Sequence, residues 1–504
     1  MGGIQVDLLI THATVVTASD VLQDVDIAIS GTKVLLLGKG LSSIFNPITS
    51  INAYGAYVTP GGIDSHVHIG DGFVPEGDTF ETATRSAIAG GTTTILSFAQ
   101  QNRNDETILP IIDAYHELAK GNAYCDYGFH LMIANPSPKV VKEELPLAVE
   151  GGITSVKFFM TYEPMKLPDK LILDLMLATR QLGMTTMVHA ENGDVIDWIA
   201  TKLEEQRLTD PYYHAVSRPK LAEDEATYRA ISLAELMDVP ILIVHMSSKI
   251  AADHVRRAQA RLLPVHAETC PQYLYFTSEK LKGEGFEGAK CVCSPPLRDN
   301  QMDLDAIWQG LSNGTFTTFS SDHAPSRYDH PDGKKSGLVD GTASFRKIPN
   351  GLPGVETRLP SLFSGVLAGR LTIQKFVELT SSNPAKLYGL GEKKGIIAPG
   401  FDADLVIWYP TEKQATEGDY ESYPTITPFK LTNEMLHHRI DYTPFEGMEF
   451  TNWPRYTILR GKVVWDRNNG GIVGQKGNGH FLKRGFSTLS KPREIFVNEF
   501  RPHG

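Results

Sequence analysis

Cysteine is scarce, with only Cys125, Cys270, Cys291 and Cys293 in 504 residues. So few excludes a disulfide-stapled scaffold, and the four read as free thiols of a reducing compartment. Cys291 and Cys293 are spaced C-x-C with no second pair, which argues against a zinc knuckle. No apolar run reaches the roughly 18 residues that a membrane-spanning helix needs. Basic residues are outnumbered, 48 Lys and Arg against 59 Asp and Glu, for a formal net charge of −11. That balance argues against nucleic acid or an anionic membrane as a partner. The opening Met-Gly-Gly-Ile-Gln-Val lacks a basic region followed by an apolar one, and Val6 stands where a myristoylation site wants Ser or Thr. No secretory signal is therefore expected, and a cytoplasmic location is. No G-x-G-x-x-G follows an early strand. Gly90-Gly91-Thr92, read as a strand-to-helix turn, has no Lys-Ser/Thr after it, which excludes a phosphate loop.

What is present suits a soluble globular chain, 41% hydrophobic and 21% charged. Its length predicts more than one domain, or one large α/β barrel with an addition. Short β-like runs occupy the start, at Val6 to Ile10, Thr14 to Thr17, Val25 to Ile29 and Val34 to Leu37. Similar runs return at 404–408, 456–459 and 462–465. Neither set makes a comfortable core alone, so residues 1–57 and 396–467 are expected to form one discontinuous β-sandwich domain. Between them, 58–395 alternates strands with helical stretches. Eight strands are expected, at Val58–Ile69, Thr92–Phe98, Tyr127–Ile133, Ser155–Met160, Thr185–His189, Ile241–Met246, Pro264–Thr269 and Phe316–Ser320. The clearest helix is Leu221 to Met237, where Ala226, Ala230, Leu233, Ala234 and Met237 form an apolar stripe. Eight strands in βα alternation predict a (β/α)8 TIM-type barrel rather than an open sheet. The tail, 468–504, is expected to pack on a neighbouring subunit or to stay mobile.

In such a barrel the reactive side chains gather where strands end. His66 and His68 close the first strand and share a face because strand side chains alternate. Lys157 lies among apolar neighbours in the fourth, His189 ends the fifth, His245 the sixth, and Asp322 follows the eighth. Each alone is more often a satisfied core or loop residue; together, on five strands of one barrel, they point to a metal centre. A lysine in an apolar strand is costly unless neutralised. Desolvation makes its amine nucleophilic, able to take up carbon dioxide as a carbamate whose two oxygens bridge two metals. Four histidines, a carboxylated Lys157 and Asp322 suit two divalent ions, zinc first, with manganese, cobalt or iron also admitted. A bridging hydroxide would then be the nucleophile, with Asp322 shuttling the proton.

With these residues in view, four segments are similar to those of the hydantoinase/dihydropyrimidinase family of cyclic amidohydrolases: Gly61 to His68, His214 to Pro219, Glu268 to Tyr273 and Ser294 to Arg298. The resemblance implies that His66 and His68 hold one metal and His189 and His245 the other, bridged by carboxylated Lys157. It implies that Asp322 is both ligand and base, and that Tyr162 stabilises the oxyanion. Ser294 and Asn350 match positions whose backbone groups hold the ring's ureide edge. A homotetramer, or a homodimer, is also implied. The expected reaction is opening of a 5,6-dihydropyrimidine or 5-substituted hydantoin to an N-carbamoyl amino acid. Departures are present as well. No arginine stands two places after His68, against a dihydroorotase, and Asp322-His323-Ala324-Pro325 and Gly354 to Thr357 lean toward dihydroorotases and allantoinases. An allantoinase is the alternative within the class, and a non-catalytic scaffold the alternative outside it.

Overall fold

A computed structural model describes residues 4–418, 420–497 and 500–501. The expected N-terminal domain at 1–3 and the tail at 498–499 and 502–504 thus lie partly outside the described residues. Eight parallel strands run in chain order around a barrel: β1 (Gly62–Val67), β2 (Thr92–Gln100), β3 (Asp126–Met132), β4 (Ser155–Phe159), β5 (Thr185–His189), β6 (Ile241–Ile243), β7 (Val265–Thr269) and β8 (Thr318–Phe319). A parallel bridge from Val67 to His323 links the last strand back to the first. Nearly every strand residue is buried, as a sheet covered on both faces requires, so the strands carry apolar runs and small threonines and serines. The helix Lys220–Met237 buries Ala226, Ala230, Ala234 and Met237, with Leu233 at the edge of the same core.

The first expected strand, Val58 to Ile69, is two strands belonging to two sheets. Tyr57–Pro60 pairs with Leu405–Trp408 and with the end of Ile4–Val16 in the smaller sheet, whereas β1 starts at Gly62. A Cβ on Gly61 would lie 2.2 Å from Thr93 Oγ1, and one on Gly62 would lie 2.7 Å from Arg358 and Leu359. Two glycines let the backbone cross between sheets in a space no larger residue fits.

The smaller sheet has nine strands, drawn from residues 4–60 and 405–472. It branches at Ile4–Val16, which pairs first with Phe45–Asn52 and then with Tyr57–Pro60. The two runs expected at 6–10 and 14–17 are this single strand. A register shift after Ile10 and a left-handed His12 (φ 52°) interrupt its alternation, which is why it reads as two pieces. Gly90-Gly91 is a helix-to-strand turn, since Phe80–Ala89 runs into it and β2 leaves it.

The tail lies against its own barrel. Phe481 packs on Tyr127 and Phe129, Leu482 N–H donates to the Tyr127 carbonyl, and buried Arg484 donates to Ser155 Oγ at 2.8 Å. Tyr127 and Ser155 stand at strand starts, and Phe129 midway along β3. Among the described residues no helix is long and apolar enough to cross a membrane.

Candidate active site

The barrel brings all six expected ligand residues to one rim. His66 lies one residue before the end of β1 with His68 just beyond, Lys157 is central in β4, and His189 ends β5. His245 and Asp322 follow β6 and β8, and all six side chains are buried. His66 Nε2 lies 3.2 Å and His68 Nε2 3.7 Å from Asp322 Oδ1. Lys157 Nζ sits 2.9 Å from His66 Nε2, between the rings of Phe98 and Phe159. The His189 and His245 ring centres are 4.3 Å apart, and that of His66 is 5.4 Å from that of His245. One pocket is lined by His68, Lys157, His189, His245 and Asp322 together with Tyr162, Ser294 and Asn350.

Each of three imidazoles is held through the nitrogen that turns away from this centre. His66 Nδ1 is 2.6 Å from Glu268 Oε1, His68 Nδ1 is 2.6 Å from Asp71 Oδ2, and His189 Nε2 is 2.7 Å from Glu191 Oε2. Glu191 is itself paired with Arg218 at 2.8 Å. Burial would raise its pKa, but Arg218 and His189 draw it down to about 2, so it stays an ionised acceptor. Such carboxylate partners fix a metal-ligating imidazole's tautomer and direction. The sequence reading assigns no role to Asp71, Glu191 or Glu268, although Glu268 opens the segment Glu268 to Tyr273 and the other two follow His68 and His189 within three residues.

The donor set fits a divalent cation. His66, His68 and Asp322 offer three ligand atoms within 4.8 Å of one another. His245 Nδ1 is buried without a hydrogen-bond partner. Burial, reinforced by the Lys157 charge, pushes His66 and His245 well below the usual histidine range, and burial takes His189 to about 4, so all three present neutral lone pairs. Burial also lowers Lys157 to about 8, toward the free amine that carboxylation needs. Asp322 is raised, again chiefly by burial.

Tyr162 stands across the pocket with its hydroxyl receiving a hydrogen bond from Asn350 Nδ2 at 3.0 Å. Burial raises its pKa, so it remains a phenol with a proton to donate. Phe73 packs against both Phe159 and Tyr162 and gives the pocket an apolar wall. Tyr162, His245 and Asp322 all have left-handed backbone conformations, with φ of 64°, 39° and 47°. Side-chain-bearing residues rarely sit there, at a cost of about 1–3 kcal/mol each, and such strain gathers at functional sites.

Comparison with known proteins agrees with this geometry. The model of the amidohydrolase family matches residues 57–464. The D-hydantoinase of Ralstonia pickettii is 40% identical over 481 residues, covering 95% of this chain and 99% of its own. That of Geobacillus stearothermophilus is 41% identical over 482 residues, 94% of this chain and 96% of its own. The crystal structure of dihydropyrimidinase from Brevibacillus agri superposes with a TM-score of 0.87 at 38% identity, covering 95% of this chain and 99% of that one. With a barrel rim of buried histidines, a lysine and an aspartate, and this likeness along nearly its whole length, the chain belongs to the amidohydrolase family, in its hydantoinase/dihydropyrimidinase branch.

Proposed function

We propose that the chain is a hydrolase of cyclic amides that opens a 5,6-dihydropyrimidine or a 5-substituted hydantoin to the N-carbamoyl amino acid. The observation that carries this reading is the convergence of His66, His68, Lys157, His189, His245 and Asp322 on the pocket that also holds Tyr162. His66 and His68 would hold one divalent ion and His189 and His245 the other, with Lys157, carboxylated by carbon dioxide, between them and Asp322 as a further ligand. Zinc suits this nitrogen and oxygen set. When bound, such a pair supplies Lewis acidity and makes a water acidic enough to lose its proton near neutral pH.

The chain's own groups supply the rest. Asn350 holds the Tyr162 oxygen from one side, so the phenol proton is free to meet the ring carbonyl oxygen as it gains negative charge. Backbone groups at Ser294 and Asn350 grip the ureide edge and orient the scissile carbonyl. Asp322, with its raised pKa, takes up a proton at its carboxylate and returns it to the departing ring nitrogen, which leaves as a neutral amide. Phe73 and Phe159 shield the reacting centre from bulk water and offer an apolar surface to the 5-substituent.

The four cysteines are all free and buried, in keeping with the reducing cytoplasm. Self-association into a homotetramer or homodimer is part of the proposal. Light scattering separates these assemblies from a 55.5 kDa monomer.

Ring opening measured on dihydrouracil, hydantoin, 5-aryl hydantoins and allantoin tests the reading. Turnover of the first three classes, with allantoin poor, is expected. Allantoin as the preferred substrate would replace it with the allantoinase alternative, and no turnover by metal-loaded protein would favour the scaffold.

A further inference from the structure

Lys334 is completely buried, in a short turn beyond the barrel rim, and among the described residues no carboxylate lies against it. Its Nζ donates instead to three backbone carbonyls: Val292 at 3.0 Å, Pro349 at 2.6 Å and Gly351 at 2.8 Å. An ammonium has three hydrogens, and here each has an acceptor. Burial draws the Lys334 pKa down to about 7, while the three carbonyl dipoles favour the charged form.

The identity of those carbonyls matters more than their number. Pro349 and Gly351 flank Asn350, and Val292 lies two residues before Ser294. Gly351 N–H donates to the same Val292 oxygen at 3.0 Å, so the two segments meet at the lysine. Neither has slack elsewhere. A Cβ on Gly351 would fall 2.1 Å from the Ala324 carbonyl, and the Cys293 carbonyl accepts from His214 Nε2 at 2.8 Å. Lys334 is placed just as firmly, with its own N–H donating to the Arg327 carbonyl at 2.8 Å.

We propose that Lys334 is a positioning residue, whose ammonium clamps the segments carrying Ser294 and Asn350 at one fixed separation and so sets the cradle for the ureide edge. This rests on the reading that the pocket takes a cyclic ureide. The clamp touches neither the reacting carbonyl nor the ligand residues. Its loss loosens the ureide cradle, which raises KM, and lets Asn350 draw away from the Tyr162 hydroxyl, which lowers kcat as well.

The test compares wild type with Lys334→Met, which keeps the length and removes every donor, and Lys334→Gln, which keeps two. Steady-state ring opening, metal content and amide hydrogen exchange without substrate are read on each. Lys334→Met is expected to raise KM at least tenfold and to lower kcat more than threefold with metal content unchanged, and Lys334→Gln to fall between. Amides at 292–294 and 350–352 should exchange at least tenfold faster in Lys334→Met. An unchanged KM, a fall in kcat alone, unchanged exchange at both segments, or failure of both variants to fold would each overturn the proposal. If wild type opened no cyclic ureide, the functional reading would fail, and the clamp would be judged on the exchange rates alone.

Discussion

At the scale of single residues, the site is a set of unfavourable placements made acceptable by one another. Lys157 is buried against three aromatic or imidazole rings, and Tyr162, His245 and Asp322 carry backbone strain. These residue types at strand ends are visible in the chain, because a histidine or lysine in an apolar run stands out. Their left-handed backbones and the hydrogen bond from Asn350 to Tyr162 are not, since both depend on partners more than a hundred residues away. Tyr162→Phe is expected to lower kcat by about a hundredfold or more, the effect of losing one preorganised oxyanion donor, with metal content unchanged. Metal analysis beside steady-state rates checks it, and an unaltered rate would remove Tyr162 from the chemistry.

At the scale of elements, strand ends work in pairs. Glu268 at the end of β7 holds His66 of β1, and Arg298, reaching Glu223 and Ser247, ties the Ser294 segment to the loop after β6. The strand pattern was legible because its apolar runs recur with helical stretches between them. The crossing at Gly61 was not, since the run from Val58 to Ile69 stays buried although it changes sheets. Likewise the bulge at His12 hid the continuity of Ile4–Val16. Glu268→Gln should weaken metal affinity by about ten- to a hundredfold, as loss of a carboxylate behind a ligating histidine does elsewhere. Competition with a chelator measures this, and wild-type affinity would mean that Glu268 does not orient His66.

At the scale of the whole molecule, the two sheets are joined by buried charge. Lys394 Nζ binds Asp126 Oδ2 at 2.8 Å, Asp402 Oδ2 at 3.2 Å and Asp404, while Arg460 also reaches Asp126. Asp126 opens β3 of the barrel, and Asp404 and Arg460 border strands of the smaller sheet. The pairing of both chain ends was expected from their insufficient cores. This ionic joint was not, because nothing in the spacing of five charged residues over more than 330 positions signals contact. Lys394→Met strands the carboxylates in the interior and is expected to destabilise the fold by about 3–5 kcal/mol, leaving KM of the folded protein unchanged. Equilibrium unfolding of the variant beside wild type measures it, and equal stability would show the joint to be dispensable.

In the proposed centre, His66, His68, His189, His245 and Asp322 would hold two cations around a carboxylated Lys157. Elemental analysis of protein prepared with divalent metal and bicarbonate, run beside Lys157→Ala, tests it most directly. About two equivalents per chain are predicted for wild type, at most one for the variant, with ring opening lost. A wild-type chain active without metal, or a Lys157→Ala variant that keeps both ions and its full rate, would contradict it.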